Sequence, residues 1–231
     1  MSARDQDWEV GFDSSGAPAL VLAAGGDGSV RGPRASIPIP AGLATDRARL
    51  IPRLARVLWV WDSAGLELGE CAIVTTGSAD TGLFLLVASW RTGREPVCLD
   101  LGDGAGRASG VAQVIQAAEP QRAIESLAAR LRPVPGAAAL VLSASARAID
   151  VLLEALPTWG RILLGTPAME PTAIDFYNHV HRKGARLQGV PATPSSLFDP
   201  ALRETVEPQL RRATRILRHE ALAASCLQQA V

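Results

Sequence analysis

The chain has 231 residues, 48% of them hydrophobic, with 23 Lys and Arg against 23 Asp and Glu. That supports a sizeable core and excludes a disordered chain. Balanced charge, with no basic stripe interleaved with aromatics, argues against nucleic acid as a partner, and no apolar run approaches the ~20 residues of a membrane-spanning helix.

Charges of both signs and no apolar core at the N-terminus argue against a secretory signal, so a cytoplasmic location is expected. Cys71, Cys98 and Cys226 form no CxxC pair and read as reduced, structural thiols. Arginine far outnumbers lysine, whose one instance is Lys183, and alanine is abundant, as in a GC-rich bacterial genome.

The first 40 residues read as short strands, 8–12 and 18–22, in a hairpin about the turn 13–16. Ile37-Pro-Ile-Pro-Ala-Gly42 reads as an extended linker, because each proline removes a ladder donor. Thr45-Asp46 then signals a helix start. Leu50, Leu54, Val57, Leu58 and Trp61 follow at helix spacing, predicting one helix as far as Arg56 or Trp61.

From Cys71 onward, apolar runs alternate with helix-patterned segments, the mark of a parallel sheet covered on both faces. Strands are expected over 71–76, 96–101, 111–115, 138–143, 160–165 and 185–190. Helices are expected over 79–91, 120–132, 146–156 and 171–183, two of them ended by Pro133 to Gly136 and by Pro157. The expected fold class is α/β: a doubly wound, Rossmann-like parallel sheet of six strands, with a small β remnant before it. One long helix, from Pro200 or Val206 to Leu227, follows it. The boundaries fall at 1–62, 63–194 and 195–231.

The first strand of this layer runs into Gly77-Ser-Ala79-Asp80-Thr-Gly82. In a dinucleotide-binding turn Gly77 would make the tight bend, Gly82 would allow close helix-to-sheet packing, and the helix start near Asp80 would attract an anion. Ala79 stands where a middle glycine normally lets the backbone approach a pyrophosphate. A carboxylate at Asp80, ~5 Å from a phosphate, would oppose binding by about 1 kcal/mol unless it turned outward or met an arginine. A working phosphate loop and an inherited turn without a ligand both stay open.

Asp100 ends the second strand eighteen residues after Gly82, where an acid accepts ribose hydroxyls and selects NAD over NADP. The competing reading is a solvated strand-end acid; Arg107, further along the same crossover, would pair with it or contact an adenosine. Ser143 and Ser145 follow the fourth strand and Gly165-Thr166 the fifth, on the carboxyl edge where this architecture holds ligands. Ser145 also suits a helix cap. His179 and His181 face different directions at i, i+2 and share no metal; with Tyr177 and Lys183 they read as an exposed basic helix turn. No nucleophile motif or catalytic acid pair appears, so the catalytic residues are unassigned.

Residues 66–190 resemble the cofactor domain of the medium-chain dehydrogenase/reductase (zinc-type alcohol dehydrogenase) superfamily. The resemblance rests on five phrases in order. They are Ile39-Pro-Ala-Gly-Leu43 with its following helix, Ala64-Gly-Leu-Glu-Leu-Gly-Glu70, Gly77-Ser-Ala-Asp-Thr-Gly82, Leu156-Pro-Thr-Trp-Gly-Arg-Ile-Leu-Leu-Gly165, and Ile174 through Gly189. It implies an oxidoreductase moving a hydride between NAD and a small-molecule substrate. It also implies a homodimer through the strand from Ala185 to Val190, the edge that pairs across a two-fold axis in the family.

The chain departs from that family in its first 60 residues, which hold no Cys and no His, and it has no four-cysteine lobe. No zinc is therefore expected. The opening segment reads as a remnant of the substrate domain, and the end is helical where the family returns to strands. The leading expectation is a zinc-independent, truncated oxidoreductase of bacterial specialised metabolism. Two other classes stay open: a cofactor-free pseudo-oxidoreductase acting as scaffold or partner subunit, and a pocket reused for cyclisation, isomerisation or elimination.

Overall fold

The structure, a computed structural model, describes residues 8–12, 17–22, 36–102, 110–142, 145–165, 173–190 and 203–230. The chain makes two compact units, one of residues 1–58 with 193–228 and the other of 59–192 with 229–231.

The first unit opens with an antiparallel sheet in the order β1 (Trp8–Phe12), β2 (Pro18–Leu22), β3 (Ser36–Pro38). The expected hairpin is present, with Trp8 opposite Leu22. The expected linker is in part a strand: Ala19 pairs with Pro38, and the Ile39 amide donates to the Pro18 carbonyl at 3.0 Å. Pro38 is accommodated because β3 is an edge strand, where one missing donor leaves no neighbour unsatisfied.

The expected single helix is two, α1 (Thr45–Ala48) and α2 (Ile51–Ala64). Pro52 explains the break, since its ring would collide with the carbonyl four residues back had the first helix continued. Thr45 is not the cap; Ala44 precedes α1 and makes no side-chain capping bond.

The second unit is the expected layer. β4 (Cys71–Thr75), α3 (Thr81–Thr92), β5 (Val97–Asp100), β6 (Gln113–Gln116), α4 (Pro120–Leu131), β7 (Ala137–Val141), α5 (Ala146–Ala155), β8 (Arg161–Leu164) and β9 (Arg186–Gly189) follow in turn. All six strands are parallel, in the order β6-β5-β4-β7-β8-β9. Chain direction across the sheet reverses between β4 and β7, the place where doubly wound sheets open a crevice at their carboxyl edge.

β4 and β7 are buried along their whole length, as central strands covered on both faces must be. Cys71, Ile73, Val97, Leu99, Ala139 and Val141 join the core beneath α4 and α5. The alternate residues face the other way, where α3 packs on β4. α3 is buried from Thr81 through Ala88, so it reads apolar all round rather than striped. Trp61, at the end of α2, donates its indole N–H to the Phe84 carbonyl at 3.0 Å and meets the Phe84 ring edge-on at 6.3 Å.

The helix expected over 171–183 is a single π-helical turn, Phe176–His181, closed by Arg182 N–H to Tyr177 O at 2.9 Å; residues 166–172 lie outside the described set. Asp175 takes the Asn178 amide at 3.0 Å and Gly184, at φ 62°, stops the turn. The expected long tail helix, which belongs to the first unit except for its last residue, is also two, α6 (Arg203–Arg218) and α7 (Glu220–Gln229). They part at His219, whose amide tightens onto Ile216 O at 3.1 Å.

Candidate functional site

β4 delivers the glycine turn to the carboxyl edge. Gly77 adopts φ 120°, a backbone conformation closed to other residues in practice. Gly77 and Ala79 are exposed, Ser78 is half-buried, and Asp80 is only 6% exposed. Asp80 therefore does not turn outward.

Ser78 organises the turn. Its hydroxyl accepts the Asp80 amide at 3.1 Å, and its carbonyl accepts both the Thr81 amide at 3.1 Å and the Thr81 hydroxyl at 2.8 Å. Two of the backbone donors at the start of α3, the groups that would otherwise face an anion, are thus bonded inside the turn. Asp80 occupies the N-cap position of α3 without a side-chain capping bond, and the protein engages it elsewhere. The positive end of the helix dipole favours a carboxylate held there.

Gly82 is a helical glycine. A Cβ on it would stand 2.7 Å from Gln229 Oε1 and 2.9 Å from the Gln229 carbonyl oxygen. The close approach that requires glycine here is thus to the chain's own Gln229.

Asp100 is half-buried beside this turn. Its Oδ1 lies 3.5 Å from the Thr76 hydroxyl and accepts the Gly102 amide at 2.9 Å, and its Oδ2 lies 3.5 Å from Gln116 Nε2. The structure thus brings Gly77, Ala79, Gly82 and Asp100 to one end of the sheet. Between β4 and β7, the Thr75 hydroxyl accepts the Leu142 amide at 2.8 Å and ties the two strands together past their last paired residues.

Gly165 is not beside the turn. It is buried at the end of β8, bonded to the Val141 carbonyl at 2.8 Å, and a Cβ there would meet Leu142 at 3.0 Å and Leu140 at 3.2 Å. Its small size serves packing. Ser143, Thr166 and Arg107 lie outside the described residues. Ser145 precedes α5, but its hydroxyl makes no capping bond.

The turn about His179 is not uniformly exposed. Lys183 Nζ donates to the carbonyls of Leu153 and Glu154, both at 2.7 Å, closing the end of α5, and burial holds its amine below the usual lysine range. His179 lies 3.2 Å from Glu154, and His181 stacks on Tyr177 at 5.8 Å. All three cysteines are free and buried. Desolvation pushes Cys98, aided by Asp100, and Cys226 up to about 11 and also raises Cys71.

The sequence reading missed Ser78, Thr75, Thr76, Gln116 and Gln229. The pattern Ser-x-Asp at a turn is a recognisable signal for a hydroxyl that captures the amide two residues on. The other four are joined by the fold alone, with no local signature. Among the described residues, no group of three His, Cys, Asp or Glu is placed to hold a metal, and no helix is long and apolar enough to cross a membrane.

No family model and no curated protein matches this sequence. Solved structures do match its fold. Galactitol-1-phosphate dehydrogenase from Escherichia coli superposes with a TM-score of 0.63 at 12% identity, over 79% of this chain and 52% of that one. A putative NADPH:quinone reductase from Mesorhizobium loti gives 0.63 at 14% identity, over 88% and 61%. A short chain alcohol dehydrogenase from Escherichia coli CFT073, solved with NADH, gives 0.59 at 14% identity, over 76% and 51%. The chain spans about half the length of the two dehydrogenases. At these identities the likeness concerns the fold alone.

Proposed function

We propose that this chain is a zinc-independent, oxidoreductase-like protein whose dinucleotide-type layer no longer holds a nicotinamide cofactor and which serves as a scaffold or partner subunit. The observation that carries this reading is the buried Asp80 at the start of α3, beside a Ser78 that has already taken two of the turn's backbone donors. A pyrophosphate needs those donors, and the same helix start already holds the Asp80 carboxylate, which the protein engages itself. The residues of the turn do not fit that group. Zinc independence is supported by the absence of Cys and His from the first 60 residues. Arginine-rich composition and free thiols support a bacterial cytoplasm as the setting.

A second reading is favoured by Asp100. Its carboxylate sits beside the glycine turn, suits the hydroxyls of an adenosine ribose and would repel a 2′-phosphate, which selects NAD over NADP. On that reading the protein turns over a small molecule in specialised metabolism with NAD. Both readings include a homodimer through β9, whose outer edge carries no partner strand among the described residues. Calorimetric titration with NADH and NADPH separates them. The first reading expects no saturable binding up to ~1 mM; saturable uptake of NADH in that range replaces it with the second.

A further inference from the structure

The exposed face of α6 suits an anion. Val206, Ala213 and Leu217 are buried on one side of the helix. Arg211, Arg215 and Arg218 fall one helical turn apart on the other, with Arg212 alongside. A hollow of about 410 Å³ lies along this face, lined by Glu207, Pro208, Arg211, Arg212 and Arg215. That volume lies in the range of small-ligand sites.

The described lining residues carry more positive than negative charge. Glu207 is the one carboxylate among the described lining residues, and Arg211 meets it at 3.0 Å through Nε, leaving the two Nη groups of Arg211 unbonded among the described residues. Arg215 makes no hydrogen bond or ion pair among the described residues. Two guanidinium groups four residues apart line one concavity, and their forked donors are of the kind that pairs with a phosphoryl group. Zero net charge over the whole chain conceals this local concentration.

We propose that this hollow binds a small phosphorylated ligand, held by Arg211 and Arg215. The site is independent of the glycine turn. Calorimetry of the full chain with inorganic pyrophosphate tests it, in parallel with Arg211→Gln/Arg215→Gln and with Arg122→Gln, which removes one exposed arginine on α4. The expected result is saturable one-site binding, weakened at least about tenfold in the double variant and unchanged in the control. No saturable binding overturns the proposal. So does equal weakening in both variants, which would mean a diffuse field, or undiminished binding in the double variant, which would put the anion elsewhere. Capture of a single-stranded oligonucleotide but not of pyrophosphate also overturns it, in favour of a polymeric partner. Thermal melting without ligand checks that both variants fold.

Discussion

Gly82 has a stability effect opposite to the one its helical setting alone implies. Alanine in a helix is favoured over glycine by about 1 kcal/mol, yet here a methyl group would run into a side-chain and a backbone oxygen of Gln229. The backbone oxygen cannot swing aside, so Gly82→Ala should cost about 1–3 kcal/mol by urea denaturation. In a chain ending at Gln228 the same substitution should turn neutral or stabilising. Equal stability of Gly82→Ala and wild type in the full chain would contradict the close approach. The thiols give a second test at this scale. Because burial raises all three cysteines above their ordinary value, each stays protonated at pH 8 and reacts as a poor nucleophile. Ellman's reagent should therefore find no fast thiol in the native protein and three after denaturation; one rapid native thiol would refute the burial.

At the scale of elements, Glu70 and Arg161 join the starts of β4 and β8 through an ion pair. Glu70 also accepts the Glu67 amide at 2.8 Å, and Arg161 donates to the Gly65 carbonyl at 2.9 Å. The side chains are only 14% and 19% exposed, so water screens the pair weakly. Glu70→Ala leaves a poorly hydrated guanidinium without its partner and should destabilise the sheet by about 2–4 kcal/mol; a loss below ~0.5 kcal/mol would class the pair with ordinary surface bridges. The strands so joined were legible in sequence, because central parallel strands are written as unbroken apolar runs. What was not legible depends on tertiary context. β3 forms because an edge tolerates Pro38, α1 and α2 separate at Pro52 within a continuous apolar stripe, and the turn from Phe176 to His181 is set by Asp175 and Gly184 rather than by periodicity.

For the whole molecule, β9 ends the six-stranded sheet with one edge unpaired among the described residues and its own residues mostly exposed. Two copies joined through that edge would cover it, so light scattering at micromolar concentration should give twice 24.2 kDa; a stable monomer would contradict that assembly. The candidate site was half legible. Gly77, Ala79, Gly82 and Asp100 were readable because a glycine turn and a strand-end acid have fixed spacing in this architecture. The capture of the turn's amides by Ser78 and the approach of Gln229 to Gly82 were not, since both depend on where side chains and a distant segment come to rest. The central claim is that the turn itself bars the cofactor. Its most direct test is calorimetric titration of NADH into the wild type and into Ala79→Gly/Asp80→Gly, with folding matched by circular dichroism. The account predicts saturable binding only in the variant; binding by the wild type as tight as by the variant, or binding by neither, would contradict it.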